Sequence, residues 1–376
     1  MPSTVQLQSF HEEHGHLTEF AGFSLPLWFK GIIPESLAVR NAAGIFDVSH
    51  MGRTLIKGQD SEDFLQHLTT NDVSALSELQ GHYSLLCNPE GGIKDDIFVF
   101  MLDKTQYLIV YNAANRATDY SWFMTNREGF NVEIEDISNA SALFAVQGPN
   151  AVSIVSQASH DPRVLDLARF ACASVEIAGV RALLSRTGYT GEDGFEILVW
   201  DSSVDEPSKA SAVWDELLRV GKPVGLELCG LGARDLLRLE AGLCLYGTDI
   251  DERINPFQAK LGFVVRLQKD FIGRAKLQEV RKTGPAELRV GLMMQNRVIP
   301  RHGYHIRDAG RDIGMVTSGT MSPLLNRGIA MGYVEQSNSQ DSTLVDVFIR
   351  DRDERAKVTK PPFYDTAKYG YSRKPH

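Results

Sequence analysis

The chain has 376 residues, enough for two or three domains with substantial cores, which excludes a peptide hormone or a lone binding module. Hydrophobic residues make up 43% and charged residues 23%, with 32 glycines and 15 prolines, so disordered and fibrous classes are excluded and the chain is expected to fold throughout. Lysine and arginine number 39 against 48 aspartates and glutamates, a formal charge of −9, which excludes a general phosphate-backbone binder and confines any anionic partner to a local basic patch.

Elements alternate from the start. Pro34 to Ala43 reads as a short helix, with proline near its beginning and Gly44 just past its end. Arg53 to Lys57 reads as a strand, and Ser61 to Leu68 as a helix capped by Asp60. His82 to Cys87, the turn Asn88-Pro89-Glu90-Gly91-Gly92 and Ile93 to Met101 form a hairpin, followed by a strand at Tyr107 to Tyr111. An amphipathic helix over Asn115 to Arg127 and a strand over Asn131 to Ile137 come next. Ala142 to Val146 is an apolar run, Pro149-Asn150 opens a helix, and mixed structure continues to about Leu277. From Leu288 onward short alternating runs separated by Gly, Pro and Asn predict an all-β barrel or sandwich, with a boundary near residue 280.

The stretch from Arg352 to His376 carries seven basic residues (Arg352, Arg355, Lys357, Lys360, Lys368, Arg373, Lys374) against three acidic ones, and reads as a solvated tail that aids solubility. Cys87, Cys172, Cys229 and Cys244 are widely spaced, with no zinc or disulfide pattern, so buried reduced thiols are expected. No apolar run approaches the length of a membrane span, and the N-terminal residues lack the character of a secretory or transit segment, so the cytoplasm is the expected compartment.

Candidate chemistry is sparse. His11, Glu12, His14 and His16 crowd together, but Gly15 breaks the spacing of a zinc-binding helix, and a solvated N-terminal helix is expected instead of a metal site. Gly188 to Gly194 and Gly230 to Asp235 are glycine-rich without the spacing of a dinucleotide or nucleotide loop. Arg234, Asp235, Arg238 and Glu240 fall at helical spacing and read as surface pairs. Glu196, in an apolar strand, reads as an edge residue facing water.

Asp95-Asp96 is more informative, because a strand entering a buried sheet cannot hold an unpartnered carboxylate without a cost of several kcal/mol. Alternation puts Asp95 on one face with Ile93 and Ile97, and Asp96 on the other with Lys94 and Phe98. The residues alone do not choose which of the two serves function.

Eight segments stand in a familiar order: FDVSHMG (46–52), YSLLCNPEGGIKDDIFVF (83–100), AVQGPNA (145–151), SRTGYTGEDGFEI (185–197), GLGARDLLRLEAGLCLYG (230–247), DIDE (249–252), FIGR (271–274) and VTSGTMSP (316–323). With EFAGFSLPLW (19–28) and KPPFYDTAKYG (360–370) at the flanks, the chain resembles, end to end, the T-protein family of the glycine cleavage system, the tetrahydrofolate-dependent aminomethyltransferases. It departs from the family pattern at Phe23-Ser24, where Trp-Glu is common, which bears on local packing.

The resemblance implies an α+β fold of three domains in a cloverleaf around a central opening: residues 1–52 with 140–279 as a discontinuous folate-binding domain, 53–139 as a second, and 280–376 as a C-terminal β-barrel. It implies tetrahydrofolate as a substrate, with no metal and no tightly bound nucleotide. The implied partner is the lipoylated H-protein, working alongside the P- and L-proteins, with no role for nucleic acid or membrane. Asp96 takes the catalytic role by resemblance, and alternation then turns Asp95 to the opposite face. Glu196 matches the position that binds the aminopyrimidine edge of the pterin. Tyr83 and Tyr189 are similar to folate-lining tyrosines, Asn112 offers a donor and an acceptor to the ring, Arg234 is expected to orient a carboxylate or ligand, and Met51 stands beside the opening. The basic C-terminal stretch gains a second reading as a docking surface for an acidic H-protein.

Other members of the superfamily, folate-dependent demethylases of small sulfur, amine or aryl ether compounds, are disfavoured by the closeness of these motifs. A non-catalytic folate-binding relative carries a lysine-glycine-cysteine loop, which Arg186-Thr187-Gly188-Tyr189 replaces here.

Overall fold

The computed structural model describes residues 2–373. The chain builds a two-stranded ribbon, a six-stranded sheet, a five-stranded sheet and a closed six-stranded barrel, with helices over the sheets, so it is α+β with its all-β unit at the C-terminal end, as expected. The six-stranded sheet runs in the order Cys172–Ile177, Val180–Ser185, Gly194–Val199, Ala142–Gln147, Ala43–Asp47, Leu226–Leu228. Its pairs are antiparallel except the last, which is parallel. The five-stranded sheet runs Gln80–Cys87, Ile93–Asp103, Gln106–Tyr111, Gly52–Lys57, Glu133–Asp136, antiparallel throughout. In sequence it lies wholly between Ala43–Asp47 and Ala142–Gln147, two strands that pair with each other.

The two-residue period of a strand decides what each face covers. From Ala142–Gln147, Ala142, Phe144 and Val146 enter a core with Trp214 beneath helices Ala151–Ser159 and Ser208–Gly221. Leu143 and Ala145 point the other way and, with Leu183 and Leu198, pack on Leu55, Phe100 and Leu108 of the five-stranded sheet. The intervening Ile56, Val99 and Ile109 meet Phe64, Leu65 and Phe123 from helices Ser61–Leu68 and Arg116–Thr125. Both sheets are therefore covered on two faces, which is why ALFAV and IFVF read as unbroken apolar runs. Each large side chain buried in this way contributes about 1.5–3 kcal/mol.

Helix Ser61–Leu68 has the predicted ends, but Asp60 does not cap it; its carboxylate accepts from the Asn131 backbone N–H at 2.7 Å. The helix predicted from Pro34 starts at Ile32 and ends at Asn41. Gly44 is no helix terminator: it sits in a strand, where an added Cβ would stand 2.4 Å from Val39 Cγ2 and 2.6 Å from Cys229 Sγ. The other predicted elements appear with ends moved by a few residues, as Arg116–Thr125 and Glu133–Asp136 illustrate.

Four expectations about charged residues need correction. Helix Gln8–His14 forms, but His11 is buried, with Nε2 2.8 Å from Asp47 Oδ2, because the helical period turns one imidazole inward while His14 stacks on Phe10 and His16 lies over Trp28. Arg238 and Glu240, on helix Leu231–Ala241, are also buried, because the barrel covers that face through Ser318 and Ser322. Glu196 is on an interior strand, not an edge. The basic C-terminal stretch is no tail: Arg352–Thr359 is a barrel strand paired on both sides, and Arg373 is ion-paired to Glu192. Lys374 and His376 lie outside the described residues. At the family departure, Phe23 packs with Val5 and Leu25 and carries the Arg116 guanidinium 5.4 Å over its ring. All four cysteines are unpaired and buried. Among the described residues no helix is long and apolar enough to cross a membrane.

Candidate active site

The hairpin of Gln80–Cys87 and Ile93–Asp103 aims the acidic pair. Its turn is pinned by Asn88, whose side-chain oxygen accepts from the Gly92 N–H at 2.8 Å. Beyond a register shift at Leu86/Cys87, Asp95 stands opposite Leu86 and Asp96 opposite Leu85. Asp96 then shares a face with Phe98 and with Tyr83, the cross-strand partner of Phe98, whereas Asp95 turns into the face covered by helix Arg116–Thr125.

The two carboxylates are held by a common neighbour. Asn112, just after strand Gln106–Tyr111, donates through Nδ2 to Asp95 Oδ1 at 2.7 Å and to Asp96 Oδ1 at 2.8 Å, and its backbone N–H reaches Asp95 Oδ2 at 3.1 Å. The Asp96 backbone N–H donates to Asp95 Oδ1 at 3.0 Å. Asp95, completely buried, is thus held by N–H donors, while the Tyr83 hydroxyl donates to Asp96 Oδ2 at 3.0 Å and Asp96 keeps partial exposure. Burial, reinforced by the Asp95 charge, pushes the Asp96 carboxyl up to about 7, against the hydrogen bonds from Tyr83 and Asn112 that pull it down. A carboxyl that titrates near neutrality can take a proton in one step and return it in the next.

A second group of expected site residues gathers around Tyr189. Tyr189, in the glycine-rich loop, donates its hydroxyl to the Cys244 carbonyl, and the Arg234 guanidinium lies 4.5 Å above its ring. Burial pushes the Tyr189 hydroxyl up and pulls Arg234 down, with Glu196 among the charges that support the arginine. Glu196 accepts from Thr187 Oγ1 at 2.6 Å, and Thr187 in turn is 2.8 Å from Ser185 Oγ. Asp96 is among the charges felt by Tyr189, so the two groups face one electrostatic environment. Met51 is half-buried against the core that holds Phe46, Val48 and Leu55, and its carbonyl accepts from Arg53 at 2.6 Å. Tyr83, Asp96 and Asn112 are directly joined, whereas Glu196, Tyr189 and Arg234 make no hydrogen bond to them among the described residues.

Several buried polar residues escaped sequence reading. His50 is fully buried with Nδ1 unpartnered, and burial, with the Arg234 charge next, pulls it down to about 3, so it is neutral. Arg238 donates to Asp249 at 2.6 Å, and Thr317 and Tyr333 of the barrel also bond to Asp249, tying the barrel to helix Leu231–Ala241. Arg40 pairs with Glu192 at 2.9 Å and Glu240 at 3.0 Å, all buried. Asp119 is buried with both oxygens lacking a donor. The FDVSHMG and LRLEAG motifs hold three of these residues, but their partners are far away in sequence and no spacing announces them.

The chain matches two family models: one described as GCVT N-terminal domain over residues 7–269 and one described as glycine cleavage T-protein C-terminal barrel domain over 288–365. It is 42% identical to the aminomethyltransferase of Bacillus subtilis across 97% of this chain and 99% of that one. It is 41% identical to a probable aminomethyltransferase of Pyrococcus horikoshii across 99% of this chain and 100% of that one. The crystal structure of glycine cleavage system aminomethyltransferase T from Bartonella henselae is similar with a TM-score of 0.90 at 32% identity, covering 99% of both chains. Fold and relatives together define an enzyme of group transfer, an aminomethyltransferase. The chain belongs to the glycine cleavage T-protein family.

Proposed function

We propose that this aminomethyltransferase moves the one-carbon unit from the aminomethyl-dihydrolipoyl arm of H-protein to tetrahydrofolate, yielding 5,10-methylenetetrahydrofolate, ammonia and the reduced arm. The carbon–sulfur and carbon–nitrogen bonds of the aminomethyl group break, two bonds to folate nitrogens form, and the two protons those nitrogens lose end on the thiol and the ammonia. Folate N5 attacks the methylene carbon, and Asp96 steers the protons and offsets positive charge on the carbon. The observation that carries this reading is the Asp96 carboxyl itself, fixed by Tyr83 and Asn112 and titrating at about 7.

Glu196 accepts hydrogen bonds from the 2-amino group and ring N–H of the pterin, a reading supported by its half-open position on an interior strand. Tyr83 and Tyr189 line the ring, Arg234 orients it from above Tyr189, and Met51 borders the opening. Asn112 spends its amide hydrogens on the aspartates, which leaves its oxygen for the ring. The three-part division of the chain at 1–52 with 140–279, 53–139 and 280–376 belongs to the same reading, as does work alongside P- and L-proteins in the cytoplasm, for which four unpaired thiols argue. H-protein docks on the basic C-terminal stretch, which bears exposed Lys357, Lys360 and Lys368.

The test is to mix purified protein, tetrahydrofolate and H-protein preloaded with the aminomethyl group and to measure methylenetetrahydrofolate and ammonia. Turnover that requires both substrates supports the reading. Folate binding without product, given competent H-protein, overturns it.

A further inference from the structure

We propose that Asp119 is a positioning residue for the reaction: a buried carboxylic acid that keeps its proton, donates a hydrogen bond to Asp95 and, through Asp95 and Asn112, sets the orientation and charge state of Asp96. The inference rests on the reading of Asp96 as the reacting carboxylate.

Asp119 lies in helix Arg116–Thr125, which covers the face of the hairpin opposite Asp96. It is completely buried, and neither of its oxygens meets an N–H or O–H donor among the described residues. The Asp95 carboxyl lies within hydrogen-bond reach of it. Two carboxylates in buried contact cannot both be ionised, so the pair holds one proton. The donors decide where it resides. Asp95 already accepts from both N–H groups of Asn112 and from its neighbour's backbone N–H, which favours its anion, whereas nothing supports an anion at Asp119. The proton therefore belongs to Asp119, which becomes a further donor to Asp95.

The charged groups around the pair agree. Lys94, on the hairpin strand, is a nearby cation that opposes protonation of Asp119, but its Nζ is committed to Glu252 at 3.2 Å and to the Trp122 ring at 4.7 Å. Asp96 from the same strand favours protonation of Asp119, and Tyr246 is a further titratable group facing the pair. Burial dominates and holds Asp119 well above the carboxylate range.

Two effects reach Asp96. Asp95, fixed by its donors, anchors Asn112, whose Nδ2 aims at Asp96 Oδ1. An anionic Asp95 is also the largest influence after burial in keeping Asp96 near neutrality. Without the Asp119 proton, Asp95 would take up a proton itself, and Asp96 would become a stronger acid.

Asp119→Leu and Asp119→Asn separate this role from packing, since only the amide retains a donor toward Asp95. At equal folded fraction, Asp119→Leu should lower kcat by about tenfold or more with a smaller change in KM for tetrahydrofolate, and shift the Asp96 limb of the kcat profile down by about one pH unit. Asp119→Asn should leave that limb in place and retain most of the parent's kcat. A structural role alone would reduce stability in both variants and move neither limb. Infrared difference spectra at about pH 8.5, where Asp96 is ionised by its value of about 7, provide a reading independent of activity: the parent should carry a buried carboxylic-acid C=O band that Asp119→Asn lacks. No such band, or an unmoved limb in folded Asp119→Leu, overturns the proposal; should Asp119→Leu fail to fold, the infrared comparison decides. A limb that persists in Asp96→Asn overturns the reading of Asp96 instead, leaving the carboxyl pair to the infrared result.

Discussion

The Tyr83 hydroxyl donates to the Asp96 carboxylate at 3.0 Å across one hairpin, so a single turn sets both the acid and the group that tunes it. The bond favours the ionised carboxylate and opposes the effect of burial. In Tyr83→Phe the carboxyl should become a weaker acid, and the Asp96 limb of the kcat profile should move up by about one pH unit. A limb that stays in place or moves down would mean that the hydroxyl does not act through Asp96.

Asp96→Asn should bind tetrahydrofolate with little change while losing turnover by about a hundredfold or more, the range of a lost general acid–base group. The same variant should be more stable at high pH. The folded carboxyl titrates at about 7 against 3.8 as the reference, so the folded state holds a proton the unfolded chain releases, and stability falls as pH rises between those values. Denaturant melts should show the variant ahead by on the order of 4 kcal/mol at pH 8 and level with the parent below about pH 3. Equal stability at both pH values would argue against a strained carboxylate.

Arg40 holds two buried carboxylates, Glu192 and Glu240, and through them helix Ile32–Asn41, the glycine-rich loop and helix Leu231–Ala241. Arg40→Ala leaves both acids buried without that cation and should cost about 3–5 kcal/mol in urea unfolding. Arg40→Lys should recover only part of this, since one ammonium cannot reproduce the forked pairing. Full recovery would show that charge alone matters there.

If H-protein docks on the basic C-terminal stretch, replacing Lys357, Lys360 and Lys368 together by alanine should raise its apparent KM several-fold at low salt, with the difference fading as ionic strength rises. kcat at saturating H-protein should hold. An unchanged KM at low salt would move the docking face elsewhere.

Much of the architecture follows from period and punctuation. The hairpin, the helix Ser61–Leu68 and the turn to all-β structure at Leu288 are readable because each depends on neighbours within a few residues. The opposed faces of Asp95 and Asp96 follow in the same way from alternation. Burial of a charged side chain is different, since it depends on a remote cover. His11 looks solvated until Asp47 arrives from a strand, and Arg238 and Glu240 look like helix surface until barrel serines close over them. Asp119 is in the same class: its helix is legible, but the residue it answers to lies across a packed layer.

The pairing of Ala43–Asp47 with Ala142–Gln147 has a consequence for how the molecule assembles. Every residue of the five-stranded sheet must leave the ribosome before these two strands can meet, so the six-stranded sheet cannot nucleate on its first segment. Closing so long a loop from a disordered chain would be slow, because its entropy is lost before the contacts reward it. The enclosed sheet shortens that search. Its entry and exit strands, Gly52–Lys57 and Glu133–Asp136, lie side by side with Thr54 opposite Asp136, so once it folds the two halves of the outer sheet are delivered to each other already aligned.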